Sequence, residues 1–472
     1  MGLLKQKFTS LRKNYIGDKQ FYKFTLSIAV PIMIQNGITN LVSLLDNIMV
    51  GRLGTEAMSG VSIVNQFIFI FNLLVFGSVA AAGIYIAQYY GLKDEKGLRY
   101  SFRFKFLITT VAAVIGAAVI LIFHEQLISL FLHESDSSGD LALTLEYGKE
   151  YLFIITIGLV PYAISQVYAS TLRETGETVV PMVSCVIAVF TNFLLNVLLI
   201  FGYLGFPALG VCGAAIATVI SRFVELFILI IYSHRHSDRF TYLRGAFSSF
   251  KIPKALFCEI SLKGIPLLIN EFLWAVAMTA RNQCYSTRGL DVVAAQNISV
   301  TIFNLFNVVY MSLGSAIAII IGNLLGAGET DEAKDKTKKL IAFSVFTGCL
   351  ISTLMITSSC FFPSMYNTSD NVKSLAAYMM IISGLTMPFA AFANAAYFTL
   401  RSGGKVFITI LFDSVYMWTI TMPVSMIFAY LTGVNIFTLF VICQFVDTFK
   451  CIFGAFLLKR GSWANILVSK SE

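Results

Sequence analysis

The chain alternates between long apolar stretches and short polar breaks, and some stretches carry no charge at all, as from Phe24 to Leu45. Crossing a hydrocarbon core of roughly 30 Å takes about 20 helical residues. Twelve stretches reach that length: 24–48, 57–87, 104–123, 150–171, 181–203, 208–233, 257–280, 293–325, 340–361, 375–399, 407–432 and 435–458. Continuous apolar runs predict helices, because barrel strands would show short segments of alternating polarity. The pattern therefore predicts an all-α membrane protein with twelve transmembrane helices.

The polar positions repeat between the halves. "VPIMIQNGITNLVSLLDN" (30–47) lines up with "IPLLINEFLWAVAMTARN" (265–282), which sets Pro31 on Pro266 and Asp46 on Arg281. The same register sets Asn72 on Asn307 and Gly91 on Gly326. Later, "PYAISQVYASTLRETG" (161–176) parallels "PFAAFANAAYFTLRSGG" (388–404), and "ISRFVE" (220–225) parallels "ICQFVD" (442–447). Six spans per half is an even number, so the lobes enter the membrane in the same orientation, an arrangement that places substrate sites near mid-membrane between repeats. The expected divisions are an N-terminal segment (1–23), a six-helix lobe (24–233), a linker (234–256), a second lobe (257–458) and a tail (459–472). Pro31 and Pro266 each remove a backbone hydrogen bond and are read as helix kinks.

Composition agrees, with 57% hydrophobic and 13% charged residues and a mean hydropathy of +0.77. The net charge of +8 follows topology and does not point to nucleic acid. Basic residues such as Lys5, Lys7, Arg12, Lys13, Lys93, Arg99, Arg103, Lys251 and Lys334 gather on one side, and Glu134, Asp136 and Asp140 fall on the other. By the positive-inside rule both termini are cytoplasmic. The polar, basic first residues give no cleavable signal peptide, so the first span is read as its own insertion signal. Eight scattered cysteines and four histidines expected in loops, His124, His133, His234 and His236, form no metal-binding spacing. No cofactor is expected, and no catalytic constellation suggests an enzyme.

Together, "LLDNIMVGRLG", "GIYIAQYYG", "TLRETGET" and "NFLLNVLLIFGYLGFPALGVCGAAIAT" with the paired second half resemble the multidrug and toxic compound extrusion (MATE) transporters over nearly the whole chain. The resemblance implies two pseudo-symmetric six-helix lobes forming a V around a central cavity. It also implies cation-driven antiport of large organic compounds. Matched position by position, it implies ion coupling at Asp46, Asn192, Asn196 and Thr218, and a seventh-span acid at Glu271. "MPFAAFANAAYF" has no tenth-span carboxylate, which departs from some members of that family.

The residues also carry their own argument. Gln35, Thr39, Ser43 and Asp46 fall within about 80° of one helix face, a stripe unsuited to lipid. An ionised Asp in a span costs about 2.5 to 3.5 kcal/mol on insertion scales, so Asp46 should face a polar interior or take up a proton, unless it lies at the outer interface. Asn192 and Asn196 share a face at i, i+4, and with Thr218 they reach the same outer half of the membrane as Asp46. Interhelical hydrogen bonding is the alternative role for the asparagines. One carboxylate with neutral oxygens suits Na+, and a desolvated Asp equally suits H+. Gln35, Asn36, Asn270, Glu271, Arg281 and Asp413 are the candidates for substrate contact or second-lobe coupling, with a structural pairing of Glu271 to a buried partner such as Asn270 as the alternative. Glu225 with Arg222, and Asp447 with Lys450, read as local ion pairs at spacing three. Phe67, Trp274, Met278 and Tyr310 are candidates to line a pocket for flat cations.

The expectation is a monomeric plasma-membrane antiporter that contacts lipid and exports organic, cationic or amphiphilic compounds in exchange for H+ or Na+. The alternative is a flippase for lipid-linked saccharides, disfavoured by the scarcity of basic residues inside spans.

Overall fold

A computed structural model describes residues 14–129 and 140–470. The expectations placed on Lys5, Lys7, Arg12, Lys13, His133, Glu134 and Asp136 lie outside the described residues. The helices are α1 (Lys19–Gly51), α2 (Thr55–Leu92), α3 (Glu95–Ile122), the short α4 (His124–Ser129), α5 (Leu141–Ile157), α6 (Leu159–Glu174), α7 (Val179–Phe201) and α8 (Gly210–Arg235). They continue with α9 (Lys254–Ser286), α10 (Leu290–Gly326), α11 (Thr330–Ser358), α12 (Asp370–Ser402), α13 (Val406–Leu431) and α14 (Ile436–Arg460). Among the described residues, 11 helices are long and apolar enough to span a membrane, and α5 with α6 supplies a twelfth span bent by 43°.

Local chemistry accounts for the starts, bends and stops. The Asp94 carboxylate accepts from the Lys96 and Gly97 amides and caps α3, and Asp140 caps α5 in the same way. At the bend, Gly158 separates α5 from α6, and Pro161 has no N–H to continue the α5 hydrogen-bond ladder. Pro31 and Pro266 lie inside α1 and α9. In α13 the backbone opens into wide π turns at Leu411–Val415, Met417–Thr421 and Ile427–Leu431, a form concentrated at functional positions. His234 is helical, in the last turn of α8, with Nε2 3.1 Å from the Tyr168 hydroxyl.

The helices group into two compact units. One comprises residues 34–86, 94–129 and 140–264, with a core that includes Met49, Val61, Val64, Leu152, Ile200 and Ala215. The other comprises residues 14–33, 87–93 and 265–470, with a core that includes Ile28, Ile32, Leu313, Ile317, Leu400 and Phe412. Helices α1, α2 and α9 are thus divided between units part-way along their length.

Apolar side chains gain little by leaving lipid for one another, so close backbone approach through small residues does much of the packing. Within the second unit the repeat-related pair Gly91 and Gly326 makes a reciprocal crossing of α2 and α10. A Cβ on Gly91 would lie 1.9 Å from the Asn323 carbonyl oxygen, and one on Gly326 would lie 1.9 Å from that of Gln88. Gly91→Ala should therefore cost about 1–3 kcal/mol by overpacking, read as a lowered midpoint of thermal unfolding in detergent. Gly37→Ala, where an added Cβ meets nothing within 4 Å, should not lower it.

Candidate functional site

Close packing of α7 on α8 sets the position of the first-unit site. Gly213 lets α8 approach until an added Cβ would be 2.5 Å from the Leu199 carbonyl oxygen. One or two turns away, the asparagine face of α7 meets Thr218. Asn192 Nδ2 donates to Thr218 Oγ1 at 3.2 Å, and that hydroxyl donates onward to the Ala214 carbonyl at 3.0 Å. Asn196 Nδ2 donates to Asn192 Oδ1 at 3.1 Å and to Asp46 Oδ1 at 2.6 Å. The four residues named from the sequence therefore form one chain of hydrogen bonds across α1, α7 and α8. Asn192 and Asn196 are only 5% and 1% exposed, and Asn196 Oδ1 is buried with no hydrogen-bond partner.

Asp46 and this chain open on a cavity of about 340 Å³. Its wall includes Ser43, Asn65, Asn72, Tyr151, Tyr162 and Arg222. Sequence reasoning did not assign the two tyrosines or Asn65, and it treated Arg222 only as an ion-pair partner. The available signal for Arg222 was its position four residues after Thr218, on the same face of α8.

Further along α1 the polar stripe has other partners. Gln35 Oε1 accepts from the Arg173 guanidinium at 3.0 Å, and Thr39 Oγ1 lies 3.5 Å from Cys185 Sγ. Asn36 is half-buried on the same helix. The stripe thus joins two environments, a basic one at Gln35 and the amide chain at Asp46.

In the second unit the named residues fall into three separate clusters. Asn270 Nδ2 donates to Asp413 Oδ2 at 3.1 Å, while Ser414 Oγ donates to Asn270 Oδ1 at 2.6 Å and the Lys450 ammonium holds Asp413 Oδ1. Tyr397 Oη donates to Glu271 Oε1 at 2.7 Å, with Arg401 Nη1 3.8 Å from the same oxygen. Arg281 Nη1 donates to Asp447 Oδ2 at 2.6 Å, and Thr421 Oγ1 donates to Asp447 Oδ1 at 2.8 Å.

Two sequence-based pairings are thereby corrected. Lys450 pairs with Asp413 and not with Asp447, because Arg281 and Thr421 already occupy the two Asp447 carboxylate oxygens. Glu271 takes Tyr397 and Arg401 as partners and not Asn270, whose amide is committed to Asp413 and Ser414. The pairing of Arg222 with Glu225 does form, at 3.9 Å. Of the aromatic and methionine candidates, Phe67 and Tyr310 are buried in apolar clusters, and Trp274 and Met278 pack against Met417 and Met422.

Repeated spans with buried polar clusters and a cavity bordered by a carboxylate define a polytopic helical membrane protein with a polar interior. The MatE family model matches residues 31–198 and 266–431, covering both repeats, and the chain belongs to that family. It is 25% identical over 417 residues to "Probable multidrug resistance protein YoeA" of Bacillus subtilis, covering 86% of this chain and 87% of that one. It is 25% identical over 440 residues to "Probable multidrug resistance protein NorM" of Thermotoga maritima, with 89% and 88% covered. Among solved structures, an outward-facing conformation of a multidrug resistance MATE family transporter superposes with a TM-score of 0.82 at 19% identity, covering 95% of this chain and 97% of that one. A transporter of the MOP superfamily from Pyrococcus furiosus, described as having reverse polarity of its binding pocket, gives the same values. These structures share the fold with this chain.

Removing one partner from a buried ion pair strands the other charge at a cost of about 3–5 kcal/mol. Lys450→Met should therefore lower the thermal midpoint of the purified protein strongly. Lys450→Met combined with Asp413→Leu, which removes both charges, should recover most of the loss.

Proposed function

We propose that the protein is a secondary active exporter of organic, cationic or amphiphilic compounds, coupled to inward movement of H+ or Na+ at Asp46. The observation that carries this reading is the Asp46 carboxylate on the cavity wall, linked to Asn196, whose Oδ1 is buried and unpartnered. A carboxylate beside neutral amide and hydroxyl oxygens supplies hard ligands for Na+. The same carboxylate, once protonated, donates a hydrogen bond to an amide oxygen. Either ion neutralises Asp46 where an isolated negative charge is costly.

The cycle follows from that neutralisation. Loading Asp46 from the outside removes the charge that holds the Asn196 amide hydrogens, and the amide can present its oxygen instead. Because Asp46 lies on the proline-containing α1, the change alters the helix that carries Gln35 and Ser43. Substrate leaves outward as the ion enters, and ion release inside resets the cavity. Inward movement of one positive charge gains about 2.3 kcal/mol per 100 mV of membrane potential. This cycle belongs to a plasma-membrane protein with both termini cytoplasmic, acting as a monomer among lipids.

The lipid-linked saccharide alternative asks for basic groups available to a polyanionic headgroup. Arg281, Lys450 and Arg401 already stand against Asp447, Asp413 and Glu271, and Arg173 donates to Gln35, so Arg222 is the one base among the described residues that line the cavity, too few for a polyanionic headgroup. That favours the exporter reading.

Purified protein in liposomes, with H+ and Na+ gradients imposed separately, should extrude the fluorescent cation ethidium under one of the two gradients. Asp46→Asn should reduce gradient-driven transport to the rate of protein-free liposomes while the variant remains monodisperse in detergent. Undiminished gradient-driven efflux by Asp46→Asn would overturn the assignment of Asp46.

A further inference from the structure

Arg222 is the group that the preceding scheme leaves unused. Thr218, Arg222 and Glu225 form a stripe on one face of α8, at spacings of four and three, descending about 10 Å from the Asp46 network. Arg222 lines the cavity together with Asp46. Its guanidinium lies 3.9 Å from Glu225 Oε2, stands 4.4 Å from the centre of the Tyr162 ring, and retains 34% exposure of its side chain. Glu225 is buried, at 4% exposure. One guanidinium therefore lies 3.9 Å from one membrane-embedded carboxylate and on the wall of the cavity that another, Asp46, borders.

The repeat supplies an internal comparison. Asp46, Arg222 and Glu225 correspond in the second half to Arg281, Gln444 and Asp447. There the base occupies the first-helix position, and its guanidinium closes on Asp447 at 2.6 Å while Thr421 satisfies the other carboxylate oxygen. That copy is a completed ion pair. In the first half the base sits on α8 instead, so it has two acids to serve and satisfies Glu225 only at 3.9 Å.

We infer that Arg222 is an internal cation that competes with the coupling ion for Asp46, resting on Glu225 while Asp46 is loaded and turning to Asp46 when the ion leaves. This deepens the reading of Asp46 as the coupling carboxylate and rests on it. Arg222 is then a positioning residue: it keeps an emptied Asp46 from remaining an uncompensated charge, and it helps expel the ion. Glu225 is its parking place. The other ionisable groups around the cluster are Tyr151 and Tyr162 at the cavity, and Arg173 and Cys185 near Glu225. Arg173 donates to Gln35, so Arg222 is the basic group shared by the cavity and Glu225.

Competition has a signature that a purely structural ion pair lacks. In the liposome assay with ethidium, the measured quantity is the concentration of the driving ion, H+ or Na+, that gives half-maximal transport. Arg222→Gln removes the competitor, so this concentration should fall at least ten-fold, with slower maximal turnover because ion release is hindered. Glu225→Gln removes the parking place and frees Arg222 to bind Asp46, so the concentration should rise at least ten-fold. Unit charges a few ångströms apart at an effective dielectric near 20 interact strongly enough for such shifts. Arg222→Lys keeps the charge and should stay within about two-fold of the native value, and Glu225→Gln in the Arg222→Gln background should move it far less than alone. If both single variants shift the half-maximal concentration in the same direction, or neither shifts it, the competition is wrong. If Asp46→Asn transports normally, the underlying reading fails instead, so the two failures are distinguishable.

Discussion

A carboxylate in a membrane span needs compensation, and that constraint organises the polar interior of this protein. Water is scarce there, lipid offers no hydrogen bonds, and an ionised group must find a partner within the protein or give up its charge. Asp413 finds Lys450, Asp447 finds Arg281, and Glu271 finds Arg401 with Tyr397. Asp46 is hydrogen-bonded to a neutral amide. The difference is chemical and does not depend on depth alone. A carboxylate held by a fixed base is already neutralised as a pair, whereas one held by an amide still gains by accepting a cation from outside the protein.

The asparagine chain makes such a gain reversible. Each of its amides can donate through nitrogen or accept through oxygen, so the same side chains can serve a charged or a neutral Asp46 by rotating about one bond. Thr218 ends the chain by donating to a backbone carbonyl of its own helix, which anchors one end. The anchor in turn depends on Gly213, because the α7–α8 distance that allows Asn192 to reach Thr218 exists only where α8 has no Cβ facing the Leu199 carbonyl. A packing feature of the glycine- and alanine-rich α8 is thereby part of the electrostatics of the site.

Much of this was legible in the sequence, for identifiable reasons. Span positions follow from hydrophobic length, and helical periodicity and depth set Asp46, Asn192, Asn196 and Thr218 at one level, while their grouping into one site came from the family resemblance. The bent span was read as one apolar run because apolar length is blind to direction, although Gly158 and Pro161 mark the bend. Partner choice was less accessible. Lys450 was matched to Asp447 by counting along one helix, whereas Arg281 and Thr421 from other helices take Asp447 and Lys450 reaches Asp413. Contacts between helices distant in sequence, such as Arg173 with Gln35 and Arg281 with Asp447, depend on rotation and tilt that no local spacing encodes.

The repeat sharpens the meaning of those contacts. If Asp46 served only to stabilise its lobe, the second half would be expected to solve the same problem similarly. It places Arg281 at the corresponding position, with Asp447 opposite and Gln444 where the first half has Arg222. The arrangement that closes as a tight pair in the second half is held open in the first by moving the base from the first helix of the lobe to its sixth. A closed pair stabilises without responding to ions. In the proposed competition, an acid, a base and a second acid arranged along one cavity and one helix face give an equilibrium that an incoming cation shifts, which is the physical requirement for coupling ion movement to a change in helix conformation.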